Sequence, residues 1–240
     1  MSFRIKAFAI HLLVSVLLAL CSLGLVYGIW YPGSLAKQFD VGHVFLLLLI
    51  IDSILGPLLT LLVAKKGKKT LVMDLTIIAL LQMSAYLYGM YHIAVGRPAW
   101  IAFNQSRFEA IPVNAIYYPE LREDLPKYSF FKLQWIGIRA PKDAQEKTDW
   151  LFLELQEGIS PAARPELYVP LEGMWTQILE KSLALDELNK RNTKEEIETV
   201  LQKYPEADAY LPLLTPMDVI SVLINKESKE IIAIVDLKSD

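Results

Sequence analysis

The sequence predicts a membrane protein with a three-helix transmembrane N-terminal half, residues 1–96, followed by a periplasmic α+β domain, residues 97–240. Three observations carry this prediction. Residues 1–96 hold nearly all the long apolar runs of a chain that is 53% hydrophobic, with a mean hydropathy of +0.32. They also carry 7 Lys and Arg against 3 Asp and Glu. The remaining residues are acidic, with a net charge of −7, and their apolar residues follow short helical and strand patterns.

Three apolar segments are long enough to cross a bilayer, which takes about 20 helical residues. The predicted spans are residues 7–30, 43–64 and 70–95. Aromatic residues gather at the predicted outer ends of the first and third spans, as in the interfacial belts of membrane proteins. Buried helices of a soluble protein are the alternative, and the length of the three nearly uncharged runs argues against it.

The start of the first span has features of a processed leader. Arg4 and Lys6 fit the charged start of a signal peptide, but the apolar run is too long and continues past any plausible cleavage point. The residues "LALC" end at Cys21 and resemble a lipoprotein cleavage box, which needs a small residue where Leu20 stands. We therefore interpret Cys21 as a small apolar residue of the helix.

Basic residues set the expected orientation. Arg4 and Lys6 precede the first span, and the loop between the second and third spans is rich in lysine. Its four lysines are Lys65, Lys66, Lys68 and Lys69. Because cytoplasmic loops are enriched in Lys and Arg, both segments are expected in the cytoplasm. Three spans then put the C-terminal domain in the periplasm of a Gram-negative cell, with the protein in the inner (cytoplasmic) membrane.

Asp52 lies near the middle of the second span, where a carboxylate costs roughly 2.5–3.5 kcal/mol on insertion scales. A residue of this kind usually faces other protein. One interpretation is a hydrogen bond to Tyr86 or Gln82 of the third span, which lie at comparable depths. The other is contact with the transmembrane helix of a partner. The sequence pattern leaves both interpretations open.

Pro57 is the second unusual residue of this span. It has no backbone N–H, so the carbonyl of Ser53 loses its helical partner. Together with Gly56 it predicts a kink, which neighbouring polar groups must satisfy inside a membrane. The kink serves either simple packing or a shaped surface for helix docking.

Two aspartates on adjacent spans raise the hypothesis of an intramembrane aspartyl protease. Catalytic carboxylates of that class share a proton at about 3 Å. Asp52 and Asp74 differ by ~12 Å in depth at about 1.5 Å per helical residue, so the geometry argues against it. Asp74 is instead expected to pair with Lys68 and Lys69 at the membrane surface.

The C-terminal domain is predicted to mix strands and helices. Residues 98–113 indicate a hairpin whose turn is 104–107, and alternating apolar residues from Phe131 to Trp135 indicate a half-buried strand that Pro141 ends. Further elements are expected in this order: a helix from Asp143 to Gly158, an extended Pro-rich stretch at 161–170, polar helices at 174–190 and 193–204, and a hairpin of strands 219–224 and 230–237.

Two local signals refine these elements. Thr193 and Glu196 occupy the positions of a capping box at the start of the second polar helix. The turn "NKES" of the last hairpin lacks the glycine expected there, which leaves its geometry open.

The C-terminal domain contains neither His nor Cys, because the three histidines are His11, His43 and His92. This excludes a Ser-His-Asp triad, a Cys nucleophile and the usual zinc sites from the domain. It also has no Gly-rich phosphate loop. We expect no catalytic residue, no cofactor and no metal site, and the acidic charge argues against a nucleic-acid partner.

Several stretches together resemble one family. The second span contains "VFLLLLIIDSILGPLLTLLVA" and the third "TLVMDLTIIALLQMSAYLYGMY", while the domain begins "GRPAWIAFNQSRFEAI" and ends "DVISVLINKESKEIIAIVDLK". As an ordered set over essentially the full chain, these stretches resemble the type IV pilin accessory proteins, the TfpX/TfpZ or FimB-like family.

The resemblance implies a non-enzymatic inner-membrane protein that supports assembly of its cognate major pilin into pili. The implied partners are the transmembrane helix and the periplasmic head of that pilin, with other inner-membrane pilus machinery beside them. Our hypothesis is that five residues of the second and third spans form or support the helix-docking surface: Asp52, Gly56, Pro57, Gln82 and Tyr86.

Two other classes of function stay open. A membrane-anchored extracytoplasmic sensor or adaptor predicts a concave pocket in the C-terminal domain. A periplasmic enzyme on a membrane anchor requires a cluster of acid and base residues within residues 97–240.

Overall fold

The computed structural model describes residues 2–118 and 124–239. Its contacts divide the chain into two compact units. The helical unit consists of Met1–Pro32 and Asp40–Gly96, and the sheet unit consists of Gly33–Phe39 and Arg97–Asp240.

The helical unit contains three long helices, which confirms the three predicted helical segments. The first long helix is Phe3–Trp30, the second is Val41–Val63 and the third is Leu71–Gly96. Each is long and apolar enough to cross a membrane by length and composition. Most of their large apolar side chains point away from the other two helices and are exposed, which is unusual for the surface of a soluble protein.

Each of the first two long helices contains a wider π-helical turn. The first consists of α1, Phe3–Leu25, followed by a π turn at Val26–Trp30. The second consists of α3, Val41–Ile50, a π turn at Ile51–Leu55 and α4, Gly56–Val63. The third is the single helix α5, Leu71–Gly96, and the short helix α2, Leu35–Gln38, belongs to the sheet unit.

At the place where Gly56 and Pro57 predict a kink, the second long helix contains its π turn. The N–H of Gly56 donates to the carbonyl of Ile51, five residues earlier, instead of four. A π turn lets the chain pass the missing donor of Pro57 without ending the helix. Asp52 lies within this turn.

The sheet unit is built on a mixed sheet, and its described strands follow the spatial order β4-β3-β1-β2-β6-β7-β8, with β5 paired to β6. The strands are β1 Pro98–Asn104, β2 Arg107–Pro112, β3 Gln134–Ile138, β4 Tyr168–Val169, β5 Leu183–Ala184, β6 Ala209–Leu214, β7 Val219–Asn225 and β8 Glu230–Lys238. Two pairs, β1 with β3 and β2 with β6, are parallel, and the others are antiparallel.

Helices cover both faces of this sheet. The helices are α6, Ala144–Glu157, α7, Trp175–Lys181, and α8, Lys194–Lys203. On one face, alternate strand residues such as Ile101, Phe103 and Val222 pack against Ile178 of α7. On the other face, Trp150 of α6 and Ile197 of α8 pack over two separate parts of the sheet. The period of two along each strand therefore divides its apolar residues between two cores.

The connection between the first two long helices is part of the sheet unit. Leu35 is fully buried in the core on the α7 face. Gln38 accepts a hydrogen bond from the hydroxyl of Thr215 and donates one to Asp236, which also pairs with Lys37 at 2.5 Å. One buried leucine and three polar contacts thus anchor this seven-residue connection.

Four local predictions in the sheet unit are confirmed. The first hairpin turns between Asn104 and Arg107. Helix α6 has Asp143 as its N-cap and ends at Gly158, whose φ of 70° places it in the left-handed region that glycine tolerates.

Helix α8 has the complete capping box, in which Thr193 and Glu196 each accept a backbone N–H from the other. The last hairpin also forms, and Lys229 with φ 55° adopts the left-handed conformation for which a glycine was expected. Asn225 supports this turn by accepting the N–H of Ser228.

Two predictions upstream of α7 are wrong in part. The strand expected from Phe131 begins only at Gln134, because Gln134 accepts the N–H of Ser129 and Ser129 accepts the N–H of Phe131. These local bonds hold the backbone in a bend and leave Phe131 exposed. The stretch 161–170, expected to be extended, forms two 3-10 turns that start at Pro161 and Pro165 before the short strand β4.

The polar helix expected at 174–190 is also shorter than predicted. It ends at Lys181, because Leu183 and Ala184 pair with β6 and the chain then continues as a 3-10 helix, Leu185–Lys190. Strand β6 itself had no prediction. It contains Pro212, which argues against a central strand, but Pro212 falls between the pairings with β5 and with β2 on that side.

Candidate functional site

The helical unit buries four polar side chains: Ser15, Ser22, Asp52 and Thr60. Buried polar groups are normally hydrogen-bonded, so each needs an account of its partner. The hydroxyl of Ser22 donates to the carbonyl of Leu18 at 2.8 Å and lies 2.7 Å from the hydroxyl of Tyr86. Thr60 lies 2.6 Å from Nδ1 of His11.

Asp52 is different from these residues. Its side chain is 6% exposed, and neither carboxylate oxygen has a hydrogen-bond partner among the described residues. The bond from Gln82 or Tyr86 to this carboxylate, which was one of the two interpretations of the sequence, is not formed. Nε2 of Gln82 donates instead to the backbone carbonyl of Asp52 at 3.2 Å. The hydroxyl of Tyr86 makes its hydrogen bond with the hydroxyl of Ser22.

The reason is the π turn. A π turn leaves one backbone carbonyl without its usual intrahelical donor, and the amide of Gln82 satisfies the carbonyl of Asp52. Oε1 of the same amide is buried and makes no hydrogen bond, although the His11 side chain is near enough to interact with Gln82. Two adjacent side chains, Asp52 and Gln82, therefore bring together three buried oxygens that make no hydrogen bond within the described residues.

Gly56 makes this arrangement possible. A Cβ atom at Gly56 would lie 1.8 Å from Nε2 and 2.2 Å from Cδ of Gln82, so a larger residue would displace the amide. Pro57 follows directly and produces the π turn that holds Asp52. Pro57 thus accounts for the π turn, and Gly56 leaves the space that the side chain of Gln82 fills.

A cavity of about 160 Å³ lies between the three long helices and is lined by Asp52 and Gln82. The first helix contributes His11 and Ser15, and the third contributes Met83 and Tyr86. Its volume exceeds that of several water molecules, each of which needs roughly 10–15 Å³ of such space. Four of the five proposed helix-docking residues therefore meet around one cavity or one contact: Asp52, Gly56, Gln82 and Tyr86.

Sequence reasoning did not single out His11 and Ser15, and it considered Thr60 only as a side chain that could satisfy the backbone group freed by Pro57. A signal was present, because His11, Ser15 and Ser22 fall on one face of an otherwise apolar helix at spacings of four and seven residues. Polar residues that share one face of a long apolar helix indicate a surface that packs against protein.

The lysine loop lies at the other end of the second and third long helices. Lys68 pairs with Asp74 at 2.6 Å, which confirms part of the expected interfacial pairing. Thr70 donates to the same carboxylate, and Gly67 turns the chain with φ 82°. The basic side chains Lys65, Lys66 and Lys69 are exposed.

The sheet unit has a wider groove of about 540 Å³ between β2 and the turn after β6. Its polar lining residues are Glu109, Ser160 and Thr215. Glu109 is 5% exposed and accepts hydrogen bonds from Asn104, Arg107 and Ser160. Thr215 bonds to Gln38 and to the carbonyl of Asp218. These polar groups thus already make hydrogen bonds within the sheet unit.

Ionisable side chains of the sheet unit form ion pairs that support the fold. Arg139 makes a two-point contact with Glu146 at 2.6 and 2.9 Å, and the N–H of Lys142 also donates to Glu146. These bonds lower the pKa of Glu146 to about 2. Within residues 2–118 and 124–239, no group of His, Cys, Asp and Glu side chains is arranged to hold a metal ion.

The chain is similar to known proteins along most of its length. Residues 1–33 match the family model described as "Fimbrial assembly protein FimB". The chain is 30% identical over 224 residues to "Fimbrial assembly protein, serogroup E1" of Dichelobacter nodosus, covering 89% of this chain and 87% of that relative. The chain belongs to the FimB family of fimbrial assembly proteins.

Two further relatives agree with this assignment. "Fimbrial assembly protein, serogroup I" of Dichelobacter nodosus is 31% identical over 225 residues, 89% of this chain and 87% of the relative. "Fimbrial assembly protein, serogroups C1 and C2" of the same organism is 33% identical over 121 residues, half of this chain and 92% of the relative. No solved structure matches the chain. The resemblance seen in the sequence to FimB-like proteins is therefore confirmed.

Proposed function

We propose that this FimB-family protein is an inner-membrane type IV pilin accessory protein that supports assembly of its cognate major pilin into pili. It acts by non-catalytic contact, inside the membrane with the pilin's transmembrane helix and in the periplasm with the pilin's head, beside the other inner-membrane pilus machinery. The observation that carries this proposal is similarity over 87% of the length of relatives named as fimbrial assembly proteins.

The proposed topology has two spans between the Gly33–Phe39 connection and Arg97. An even number of crossings returns the chain to the same side, and both segments belong to the sheet unit, which supports the topology. The lysine loop, with Lys65, Lys66, Lys68 and Lys69, belongs on the opposite, cytoplasmic side. Outward-facing leucines on all three long helices, such as Leu13, Leu47 and Leu81, suit contact with lipid.

The docking surface in the membrane is centred on Asp52. A buried carboxylate without a donor is costly in an apolar surrounding, and here the acceptor of Gln82 adds to that cost. A partner helix that brings a hydrogen-bond donor to this cavity would satisfy both groups at once. The π turn made by Gly56-Pro57 and the contact of Tyr86 with Ser22 keep the acceptors in place.

The function is tested in a strain that lacks only this gene, by counting surface pili and measuring total cellular pilin. Few pili with normal pilin is the expected result and supports a role in assembly after synthesis. Loss of pilin itself would replace that role with stabilisation of pilin in the membrane. Normal pili with normal pilin would contradict any role in fimbrial assembly.

The docking surface is tested by photo-crosslinking in cells. Val14 and Met83 line the cavity, and both are at least half exposed, so a photoreactive residue at either position would reach a docked helix. Leu62 is more exposed and does not line the cavity, which makes it the matched control. Crosslinks to pilin at Val14 and Met83 but not at Leu62 are expected, and equal labelling at all three positions would contradict the site.

Substitutions within the site give an independent test. Asp52→Asn removes the charge, and Pro57→Ala restores the missing donor and removes the cause of the π turn. Both are expected to lower the number of pili at normal levels of this protein. If neither variant changes piliation or protein level, the site assignment is wrong.

A membrane-anchored sensor or adaptor is the second candidate, and the groove beside β2 is the observation that favours it. Its polar lining groups are already bonded within the sheet unit, so it offers mainly apolar contact to a ligand. This candidate would take precedence if the deletion strain kept normal pilin and normal pili.

A further inference from the structure

An aromatic segment flanked by lysines projects from the sheet unit just before β3. Residues 127–132 have the sequence "KYSFFK". Phe131 is 65% exposed and Phe130 is 46% exposed, and their rings pack edge to face with centroids 4.8 Å apart. Lys127 and Lys132 on either side are exposed as well. Two adjacent exposed phenylalanines between two exposed lysines suit a partner that is both apolar and anionic.

The segment is held by the residue that follows the third long helix. Arg97 comes directly after Gly96, the last residue of that helix. Its guanidinium lies 5.0 Å from the ring centroid of Phe130 and 5.4 Å from that of Tyr128. Nη2 of Arg97 also donates to the carbonyl of Ser129 at 3.4 Å. The chain therefore leaves the third helix and contacts the aromatic segment within one residue.

Strand directions put the segment at one defined edge of the sheet. Strand β1 starts at Pro98 and β3 runs parallel to it from Gln134, so both begin at the same edge. The register of the other strands assigns the turn between Leu214 and Val219 to this edge as well. That turn contains Thr215, which binds Gln38 of the connection between the first two long helices.

Both connections to the helical unit thus enter the sheet unit at the edge where "KYSFFK" lies. The opposite edge carries the turn between Asn104 and Arg107 and the turn that contains Ser228. If the three long helices cross the membrane, both connections from the bilayer enter the sheet unit at the first edge, beside this segment.

We propose that residues 127–132 are a membrane-interface anchor, in which Phe130 and Phe131 insert into the outer leaflet and Lys127 and Lys132 bind anionic lipid headgroups. This inference rests on the proposed membrane topology and goes beyond the contact with pilin. Aromatic rings favour the headgroup level, and basic residues near a bilayer surface are attracted to anionic lipid. The anchor restrains the sheet unit close to the membrane, where the head of a membrane-held partner is found.

The anchor is tested by the depth of nitroxide labels in the full-length protein, reconstituted in vesicles of phosphatidylethanolamine and phosphatidylglycerol. Cys21 is the only cysteine, so Cys21→Ala gives a background for single labels. Labels are placed by Phe131→Cys, by Leu81→Cys on the exposed side of the third helix, and by Ser228→Cys at the opposite edge of the sheet. Collision with oxygen, which enters lipid, is compared with collision with a water-soluble nickel chelate.

The label at Phe131 is expected to show an oxygen-to-nickel collision ratio several-fold above that at Ser228 and below that at Leu81. Replacing Lys127 and Lys132 with Gln is expected to lower this ratio at Phe131 and to leave it unchanged at Leu81.

A label at Phe131 as accessible to nickel as Ser228, with Leu81 in lipid, would overturn the anchor while leaving the topology intact. The exposed rings would then be available to a protein partner. A label at Leu81 that is accessible to nickel would contradict the topology itself, and with it the premise of the anchor.

Discussion

Within residues 2–118 and 124–239, each unit buries one carboxylate almost completely, and the surroundings of the two carboxylates are opposite. Glu109 of the sheet unit is 5% exposed and accepts hydrogen bonds from Asn104, Arg107 and Ser160. Asp52 of the helical unit is 6% exposed and has no donor among the described residues. The two side chains are equally buried. They differ in the hydrogen-bond donors around them, because three residues donate to Glu109 and none donates to Asp52.

Glu109 is bonded to the residues around it, whereas Asp52 is unbonded and is the residue that we propose for contact with a partner. Glu109 links the β1–β2 hairpin to the turn at Ser160, and its loss leaves donors unsatisfied. Asp52 bonds no neighbouring side chain, although Gln82 and Tyr86 are near enough to line the same cavity. A buried, unpaired carboxylate destabilises the protein that carries it, so we expect stability and function to respond oppositely at the two sites.

The largest effect is expected at Glu109. Glu109→Ala removes three hydrogen bonds and leaves Ser160 and Asn104 without their acceptor, which should lower the free energy of unfolding by about 3 kcal/mol. Chemical unfolding of the detergent-solubilised protein, followed by tryptophan fluorescence, measures this. A loss below about 1 kcal/mol, the size of one ordinary hydrogen bond, would remove the contrast between the two carboxylates.

A second substitution tests the packing beside Asp52. Gly56→Ala places a methyl group where Gln82 lies and should cost about 1–3 kcal/mol, the usual range for overpacking. Gly24→Ala is the matched control, because a Cβ atom there meets no heavy atom within 4 Å. Melting temperatures in detergent give the comparison. Combining Gly56→Ala with Gln82→Ala should recover part of the loss, and full additivity of the two changes would show that they do not share this contact.

A smaller effect is expected at Tyr86, which bonds Ser22 across the first and third long helices. Tyr86→Phe removes one side-chain hydrogen bond between membrane helices, worth about 0.6 kcal/mol on average. Ser22 keeps its bond to the carbonyl of Leu18, so no buried donor is left unsatisfied. The same melting experiment applies, and a loss above about 2 kcal/mol would mean that Tyr86 supports the cavity more directly than this single bond suggests.

The smallest effect is expected in the pH dependence of the stability of the sheet unit. The pairing with Arg139 lowers the pKa of Glu146 from 4.5 to about 2. A carboxylate with a lowered pKa adds stability that is complete above its unfolded pKa and is lost as pH falls through its folded pKa. Wild-type stability should therefore decline between pH 4.5 and pH 2 more steeply than that of Glu146→Gln. Parallel curves for the two proteins over this range would contradict the pairing.

The sequence predicts the helical unit more completely than the sheet unit, and the reason is physical. Long apolar runs and the Gly56-Pro57 pair act locally, so the three helices and the irregular turn follow from them. Thr193 with Glu196, and Asp143 with Gly158, are local signals as well, and the helix ends they predict are correct.

The elements that the sequence did not predict depend on contacts between residues that are distant in the chain. Strand β6 is defined by its neighbours β2, β5 and β7 rather than by its own composition, which includes Pro212. The helix predicted to continue to residue 190 stops at Lys181 because the next residues pair with β6. The role of Leu35 in the core of the sheet unit was equally hidden, since a single leucine in a short connection carries no pattern.

The candidate site shows the same division. Asp52 stands out because a charge within an apolar run is costly, and its second-span neighbours Gly56 and Pro57 stand out for their backbone properties. One interpretation of the sequence paired the carboxylate of Asp52 with Tyr86 or Gln82, whereas Gln82 donates to the backbone carbonyl of Asp52 in the π turn. In the π turn the backbone hydrogen bond spans five residues instead of four, which leaves the carbonyl of Asp52 free to accept the amide of Gln82. The pattern of side chains in the sequence does not indicate this change.

The central claim is that Asp52 is retained for contact with a partner and not for the stability of the fold. Asp52→Leu tests it most directly, with unfolding stability and the number of surface pili measured on the same variant. We expect stability equal to or above that of the wild type, because an unpaired buried carboxyl group is replaced by an apolar side chain, together with a clear loss of pili at normal protein level. Wild-type piliation in that variant, or a protein that no longer folds, would contradict the claim.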